Sequence, residues 1–591
     1  MSFNSYYQTE LSALRRLGRA FSARNPALAP FLGQAGSDPD VERLLEGFAF
    51  LTGRLRQKLD DELPELTHSL TQMLWPNYLR PFPAMSMVQF DASTQPGAGV
   101  LVPRNTPLKS QPVAGVTCGF RTCYTTQVLP LEISALDFAP RHDEVTLDLH
   151  LRMTAEGHLG ELRLSALRLH LAGEGAVSRA LYLGLLRQLV SITLVPLDAA
   201  GLPLPASNDM AIPIEHVQPV GFAEDEALMP YPLNTFRGYR YLQEYFAFPD
   251  KFLFVDLSGL DILGALPEET LRQTRGCTLR MVLASPDLQL LRPTLDNFKL
   301  YCTPVVNLFK QDAVPIRLDG KQDEYLVLPA EHDREHCSVY CVDKVTGWRP
   351  GTLGYQDYVA FESFEHDPSF DIDQARPWYS VRQRSAIDHE GLETWLGFDT
   401  FALEKHETLS VELTCTNNNL PLQIPAGGIC HFAEGGPDFV EFRSIVPATR
   451  SFPPPMDRDY LWKLISNMSL NYLSLINLDA LRVVLKTYDL PRYYDQQAER
   501  VSRKLLEGLR SISHQPTDRL FQGLPVRGVK THLLVDPQDA GGEGNLFLFG
   551  SVLNEFLALY ASLNSFHELH VTSTQGSVYS WTPRVGQQPL I

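Results

Sequence analysis

His332, His336, Cys337 and Cys341 stand close together in the chain, and imidazole and thiolate are both good zinc ligands. Their spacing lacks the paired Cys-x-x-Cys layout of structural zinc sites. Residues 337–342 read as a strand with Cys337, Val339 and Cys341 on one face. That makes the thiols buried packing and the histidines loop residues. Carboxylates cluster at Asp60, Asp61 and Glu62, at Asp371 and Asp373, and at Asp457 and Asp459. A glycosidase needs two such acids held roughly 5–10 Å apart. All three clusters fall at predicted helix ends or loops, where capping and solvation account for them.

The stretch 236–257 carries Phe236, Tyr239, Tyr241, Tyr245, Phe246, Phe248, Phe252 and Phe254. Such faces can stack on sugars or unpaired bases. They also dominate cores and interfaces, and packing is the expected role. Gly541, Gly542 and Gly544 are expected to form a hairpin loop, with a helix starting only after the apolar run 545–549. The sequence holds no Gly-x-Ser-x-Gly elbow, no phosphate-binding Gly-x-x-x-x-Gly-Lys loop and no His-Glu-x-x-His pair. The expectation is no catalytic residue, no cofactor and no metal. The rival is a carbohydrate-active β-rich enzyme, which would lose activity without an acid such as Asp373.

The elements around these residues follow from periodicity. Phe3, Tyr7, Leu11, Leu14, Gly18 and Phe21 share one helical face, and Asn25-Pro26 ends that helix. Asp38-Pro39 starts a second, striped by Val41, Leu44, Leu45, Phe48, Leu51, Leu55 and Leu59. A third runs from Pro64 to Leu74. Three helices in so short a span have little core of their own, so their stripes need other surfaces. Short β-rich stretches then alternate with turns at 85–91, 100–103, 128–131, 145–153, 161–171, 191–196, 251–257, 277–283, 315–318, 325–328, 337–342, 358–362, 408–416 and 428–432. A short helix is expected at 181–189. After Phe452-Pro453-Pro454-Pro455, helices return at 460–475, 478–488, 499–509 and 550–563, with a β segment at 528–535. The fold class is therefore α+β and multidomain. The expected units are 1–80 (helical), 81–320 and 321–450 (β-rich) and 451–591 (helical or α+β).

The 591 residues carry a net charge of −18, which argues against nucleic-acid binding. Hydrophobic residues make up 44% of the chain, enough to bury several cores. No signal peptide and no membrane-spanning run is legible. The eight cysteines are scattered, as suits reduced thiols. A cytoplasmic location is expected.

Several motifs closely resemble one family. They are Tyr6-Tyr7 with Glu10-Leu11, the run 38–52 (Asp-Pro-Asp-Val-Glu-Arg-Leu-Leu-Glu-Gly-Phe-Ala-Phe-Leu-Thr), the run 58–65, and Leu74-Trp75-Pro76. Gly238-Tyr239, the runs 242–249, 302–309, 413–417 and 470–473, Leu548-Phe549-Gly550 and Asn564-Ser565-Phe566 continue the likeness. The family is TssF, the ImpG/VasA-type baseplate subunit of type VI secretion. The run 102–108 with Phe120-Arg121-Thr122 also resembles the J-type wedge proteins of phage baseplates. The resemblance implies a structural subunit that forms wedges with TssG and a second copy of TssF. It also implies contacts to TssK, TssE and the VgrG spike hub, and docking to the membrane complex at the cytoplasmic face of the inner membrane. Such a baseplate nucleates the contractile tail.

If the mechanism is assembly, apolar stripes near both termini are the expected interfaces. The N-terminal set is Leu11, Leu14, Phe21, Leu44, Leu45, Phe48 and Leu55. The C-terminal set is Leu464, Ile465, Met468, Leu553, Phe556 and Tyr560. Each could equally serve as internal core.

Overall fold

The computed structural model describes residues 3–586 apart from 25–38, 61–63, 93–98, 205–209, 232–237, 320–321, 332–334, 349–353, 362–376, 387–391, 399–406, 434–439, 456–463, 467–476 and 562–564 and the single positions 143, 163, 465 and 522. His332, Asp61, Glu62, Asp371, Asp373, Asp457, Asp459, Phe236, Ile465 and Met468 lie outside the described residues. So does the predicted helix 460–475, except for Leu464 and Ser466.

The first three helices form as their periodicity predicts: α1 (Phe3–Arg24), α2 (Pro39–Asp60) and α3 (Pro64–Leu74). α1 and α2 pack on each other. Leu11 and Ala49 are buried in the seam, and Gly53 joins them there. Arg15 Nε donates to Glu42 Oε1 at 2.7 Å across it.

The central body is built of sheets that ignore chain order. One has six strands, in the order Ile429–Phe432, Pro107–Ser110, Gly119–Thr122, Cys302–Val306, Met85–Phe90 and Phe442–Ser444. Another runs Ala211–Ile212, Leu189–Leu197, Gly276–Leu283, Val145–Met153 and Leu131–Pro140. Leu147, Leu149 and Leu151 point inward at every second position of its fourth strand, as the pleat requires.

A β-barrel forms a separate core. Its strands run Phe309–Asp312, Thr408–Thr416, Ser338–Trp348, Tyr355–Ala360, Trp378–Ser385, Leu392–Phe398 and Glu324–Leu326. The ends meet: Ala313 bridges Pro329, and Val314 N–H donates to Leu328 O at 2.7 Å. Closure removes the sheet edges. Inside lie Tyr325, Val345, Tyr358, Tyr379, Leu396, Leu409, Val411 and Leu413.

Two further helices, α4 (Gly175–Arg187) and α5 (Gly238–Ala247), and the C-terminal helices α6 (Leu478–Tyr488), α7 (Gln496–Gly508) and α8 (Glu543–Ala558) join the main core. α8 crosses between two parallel strands, Leu524–Val535 and Ser565–Ser573. Among the described residues no helix is long and apolar enough to cross a membrane.

Several expectations need correction. α8 begins at Glu543 rather than near 550, so the glycines lead straight into a helix. A Cβ on Gly544 would lie 2.5 Å from the Arg179 carbonyl oxygen of α4. The glycine is there for helix contact, not for a loop. α4 starts well before the expected 181, and the strand expected at 161–171 begins only at Ala166. Bulges between Val339 and Cys341 and between Val342 and Lys344 break the strand's alternation. Cys337 and Val339 therefore face the barrel interior, while Cys341 packs against the main core. The strands Trp378–Ser385, Leu392–Phe398 and Leu509–Phe521 have no counterpart in the sequence reading.

Candidate interfaces: an exposed helical stripe and a buried aromatic hub

The α1–α2 hairpin buries one seam and leaves a second apolar surface open. On α2, Leu44, Phe48 and Leu51 recur at helical spacing and are 74%, 57% and 62% exposed. On α1, Leu17 and Phe21 are exposed too. Leu14 and Leu45 are half-buried between the two surfaces. Leu11 is buried in the seam itself. Leu55 belongs to α2. Large apolar side chains massed on one helix face mark an interaction surface. Of these residues, Leu17 and Leu51 were absent from the expected interface set.

The C-terminal set sits differently. Leu464, Leu553, Phe556 and Tyr560 are all buried inside this chain. α8 is apolar on every side because it is enclosed by α4, α5 and the C-terminal sheet. These residues are core here, which removes them from any free surface.

Their neighbours form an aromatic hub around Tyr239 of α5. Trp75 meets it edge-on at 5.5 Å, Tyr488 of α6 stacks on it at 4.2 Å, and Phe556 of α8 packs at 5.7 Å. The Tyr239 and Tyr560 hydroxyls are hydrogen-bonded. The aromatic stretch read from sequence is thus core: Tyr239, Tyr241, Tyr245, Phe248, Phe252 and Phe254 are buried. Sequence reading missed Tyr488 and Trp75 as its partners, because their contacts are set by tertiary packing.

Beside the hub lies a buried ionic cluster. Lys251 Nζ pairs with Glu244, and both side chains are fully enclosed. Glu244 also accepts from Leu228 N–H at 2.9 Å, and Arg240 sits 3.8 Å away. Burial pushes the Lys251 ammonium down to about 8, against the attraction of Glu244. Arg168 extends the network, donating to Asp256 at 2.7 Å and to Glu226 at 3.0 Å. Lys251 and Arg168 are paired within this cluster, while Arg240 Nε makes no hydrogen bond.

One concave surface of about 820 Å³ lies on the outer wall of the barrel, lined by Trp378, Trp395, Gly397 and Glu324. Glu324 accepts from Arg382 at 2.8 Å and from Arg384 at 2.5 Å. Both its oxygens are engaged, so it is not poised as a general acid. Among the described residues no group of three or more His, Cys, Asp or Glu could hold a metal ion. His336, Cys337 and Cys341 do not converge: Cys337 Sγ meets Gln311 Oε1 at 3.7 Å, and Cys341 Sγ meets Asp343 Oδ1 at 3.4 Å.

Comparison with known proteins matches this arrangement to one family. The family described as "Type VI secretion system, TssF" matches residues 1–588. Type VI secretion system component TssF1 of Pseudomonas aeruginosa is 31% identical, over 99% of this chain and 98% of its own length. A chain in a cryo-electron microscopy structure of the type VI secretion system TssK-TssF-TssG baseplate subcomplex superposes with a TM-score of 0.74. It is 31% identical, and the match covers 92% of this chain and 98% of that one. A chain in another structure, the baseplate complex from the type VI secretion system, gives a TM-score of 0.65 at 26% identity, with both chains covered in full. The chain belongs to the TssF family of type VI secretion systems.

Proposed function

We propose that the protein is a structural subunit of the type VI baseplate wedge and that it joins TssG through the outer face of its N-terminal hairpin. The observation that carries this reading is the stripe Leu44, Phe48 and Leu51, three large apolar side chains left in water on one face of α2. Burying each is worth about 1.5–3 kcal/mol. A partner helix laid along the stripe is the economical way to cover it. One of the structures it resembles is a TssK-TssF-TssG subcomplex, which supports those partners here. A second copy of the subunit, TssE, the VgrG spike hub and docking to the membrane complex at the cytoplasmic face of the inner membrane belong to the same reading. It assigns the chain no catalytic role and no cofactor.

The test is co-purification with TssG. Phe48→Asp abolishes it, while far-UV circular dichroism and melting temperature stay at wild-type values, because Phe48 is mostly exposed within its own chain. Unchanged complex formation would remove this face from the interface.

A further inference from the structure

The sheet that runs from Ala211–Ile212 to Leu131–Pro140 ends in a free edge. Leu131–Pro140 is its last strand, and among the described residues it pairs only with Val145–Met153. In an antiparallel ladder every second residue turns its N–H and C=O away from the partner strand. The turn fixes which residues those are, because Arg141 N–H donates to Glu144 O at 2.7 Å across it. Counting back by twos, Ala139, Asp137 and Ala135 bond to the neighbouring strand. Leu136 and Phe138 therefore point their backbone groups outward, and Pro140 points its carbonyl the same way. A bulge lies between Ile133 and Ala135. Before it, Leu131 also faces outward, and its carbonyl is taken by the Tyr301 hydroxyl at 2.8 Å. Among the described residues nothing does the same for Leu136, Phe138 and Pro140.

Edges are usually blunted by lysines, bulges or prolines. Here the bulge comes before Leu136, the strand holds no lysine, and Pro140 stands at its very end. Such an edge takes up an extended segment as an extra strand, with main-chain bonds for affinity and alternate side chains for specificity. The side chains say which segment fits. Leu136 and Phe138 turn to the inner face, half-buried against the main core. Asp137 stands between them on the outer face, its side chain 77% exposed and 3.0 Å from His150 Nε2. Residues opposite one another in a ladder share a face. A strand laid along 136–138 thus needs apolar side chains opposite Leu136 and Phe138 and a basic one opposite Asp137. The net charge of −18 also favours a basic partner. A second copy of this edge fits poorly. Pairing Leu136 with Phe138 of the copy sets Asp137 against Asp137, which is repulsive. Pairing Phe138 with itself sets Leu136 against Pro140, which has no N–H to give.

We propose that the edge at Leu136–Pro140 accepts an added strand from a different polypeptide of the assembly, an extended segment with a basic residue between two apolar ones. The inference rests on the structural-subunit reading. The test is residue-resolved hydrogen–deuterium exchange on the isolated protein and on the complex with TssG and TssK of its own system. In the isolated chain the amides of Leu136 and Phe138 exchange fast, while those of Asp137 and Ala139, bonded within the sheet, exchange slowly. In the complex Leu136 and Phe138 slow by roughly tenfold or more. That alternate pattern belongs to strand addition, and a partner resting on one face of the sheet does not produce it. Asp137→Lys weakens assembly roughly tenfold, since an attractive cross-strand pair becomes a repulsive one. The melting temperature of the isolated variant stays near the wild-type value, because the side chain is mostly exposed, and Asp137→Asn weakens assembly less. Unchanged exchange at Leu136 and Phe138, with the complex intact, overturns the added strand but leaves the structural role standing. Slow exchange at both amides already in the isolated chain also overturns it, since this chain or a second copy would then be filling the edge. If the wild-type chain forms no complex, the structural reading fails and the added strand falls with it.

Discussion

Tyr239 and Tyr488 lie face to face, with ring centroids 4.2 Å apart and planes 19° from parallel. α5 and α6, which carry them, are far apart in the chain, and the stack ties the central body to the C-terminal helices. Trp75 closes it from the end of the N-terminal helices.

Tyr239→Ala should therefore loosen three segments at once. Removing a buried aromatic costs about 3–5 kcal/mol. Tyr239→Phe keeps the ring and loses only the hydroxyl's hydrogen bonding, to Tyr560 and Tyr488, about 1 kcal/mol per bond. Chemical denaturation followed by fluorescence separates the two. Equal losses would show that the hydroxyl, not the ring, holds the hub.

The Glu244–Lys251 pair predicts a different pattern. Glu244→Ala leaves Lys251 buried without its counter-charge and costs about 3–5 kcal/mol. The double variant Glu244→Met, Lys251→Met recovers only part of that loss, because no lysine is left without its counter-charge while Arg240 and the Leu228 N–H still lose Glu244. A double-mutant cycle of unfolding free energies reads this coupling directly, and additive losses would refute it.

Buried histidines predict acid sensitivity. Burial lowers His170 to about 4 and His567 to about 3. The unfolded chain takes up these protons near pH 6.5, whereas the folded protein resists them. Stability is thus fully present above pH 6.5 and lost as pH falls toward 4, by about 2–3 kcal/mol for each histidine at pH 4.5. Unfolding measured at pH 7.5 and pH 4.5 gives the loss. His567→Gln, which can keep the hydrogen bond to Thr531, makes it smaller. An unchanged loss in that variant would clear His567 of the effect.

Gly544 predicts the cost of crowding α8 against α4. Gly544→Ala places a methyl 2.5 Å from the Arg179 carbonyl oxygen and costs about 1–3 kcal/mol, despite alanine's better helix propensity. A lower melting temperature is the expected result, and a higher one would mean that the two helices separate easily.

The sequence by itself determined the local elements whose pattern was strong. α1, α2 and α3 followed from apolar spacing and from Asn25, Pro39 and Pro64. The strands Val145–Met153 and Thr408–Thr416 followed from alternation, and α6 from its apolar face. The family likeness rested on local motifs of the same kind. Leu44 and Phe48 could be named as interface candidates because a stripe is local. Whether a stripe is covered is not local, and only the tertiary structure decided it. Leu44 and Phe48 stay in water because the hairpin's seam is already filled by Leu11 and Ala49. Leu553 and Phe556, equally apolar in sequence, are enclosed because α8 lies between α4, α5 and the sheet. The strand Leu509–Phe521 escaped notice because only Leu509 and, in part, Ile512 pack on the core, so little burial imposes alternation on the rest of its residues. Periodicity records what a segment buries, and it is silent where a segment buries nothing in its own chain.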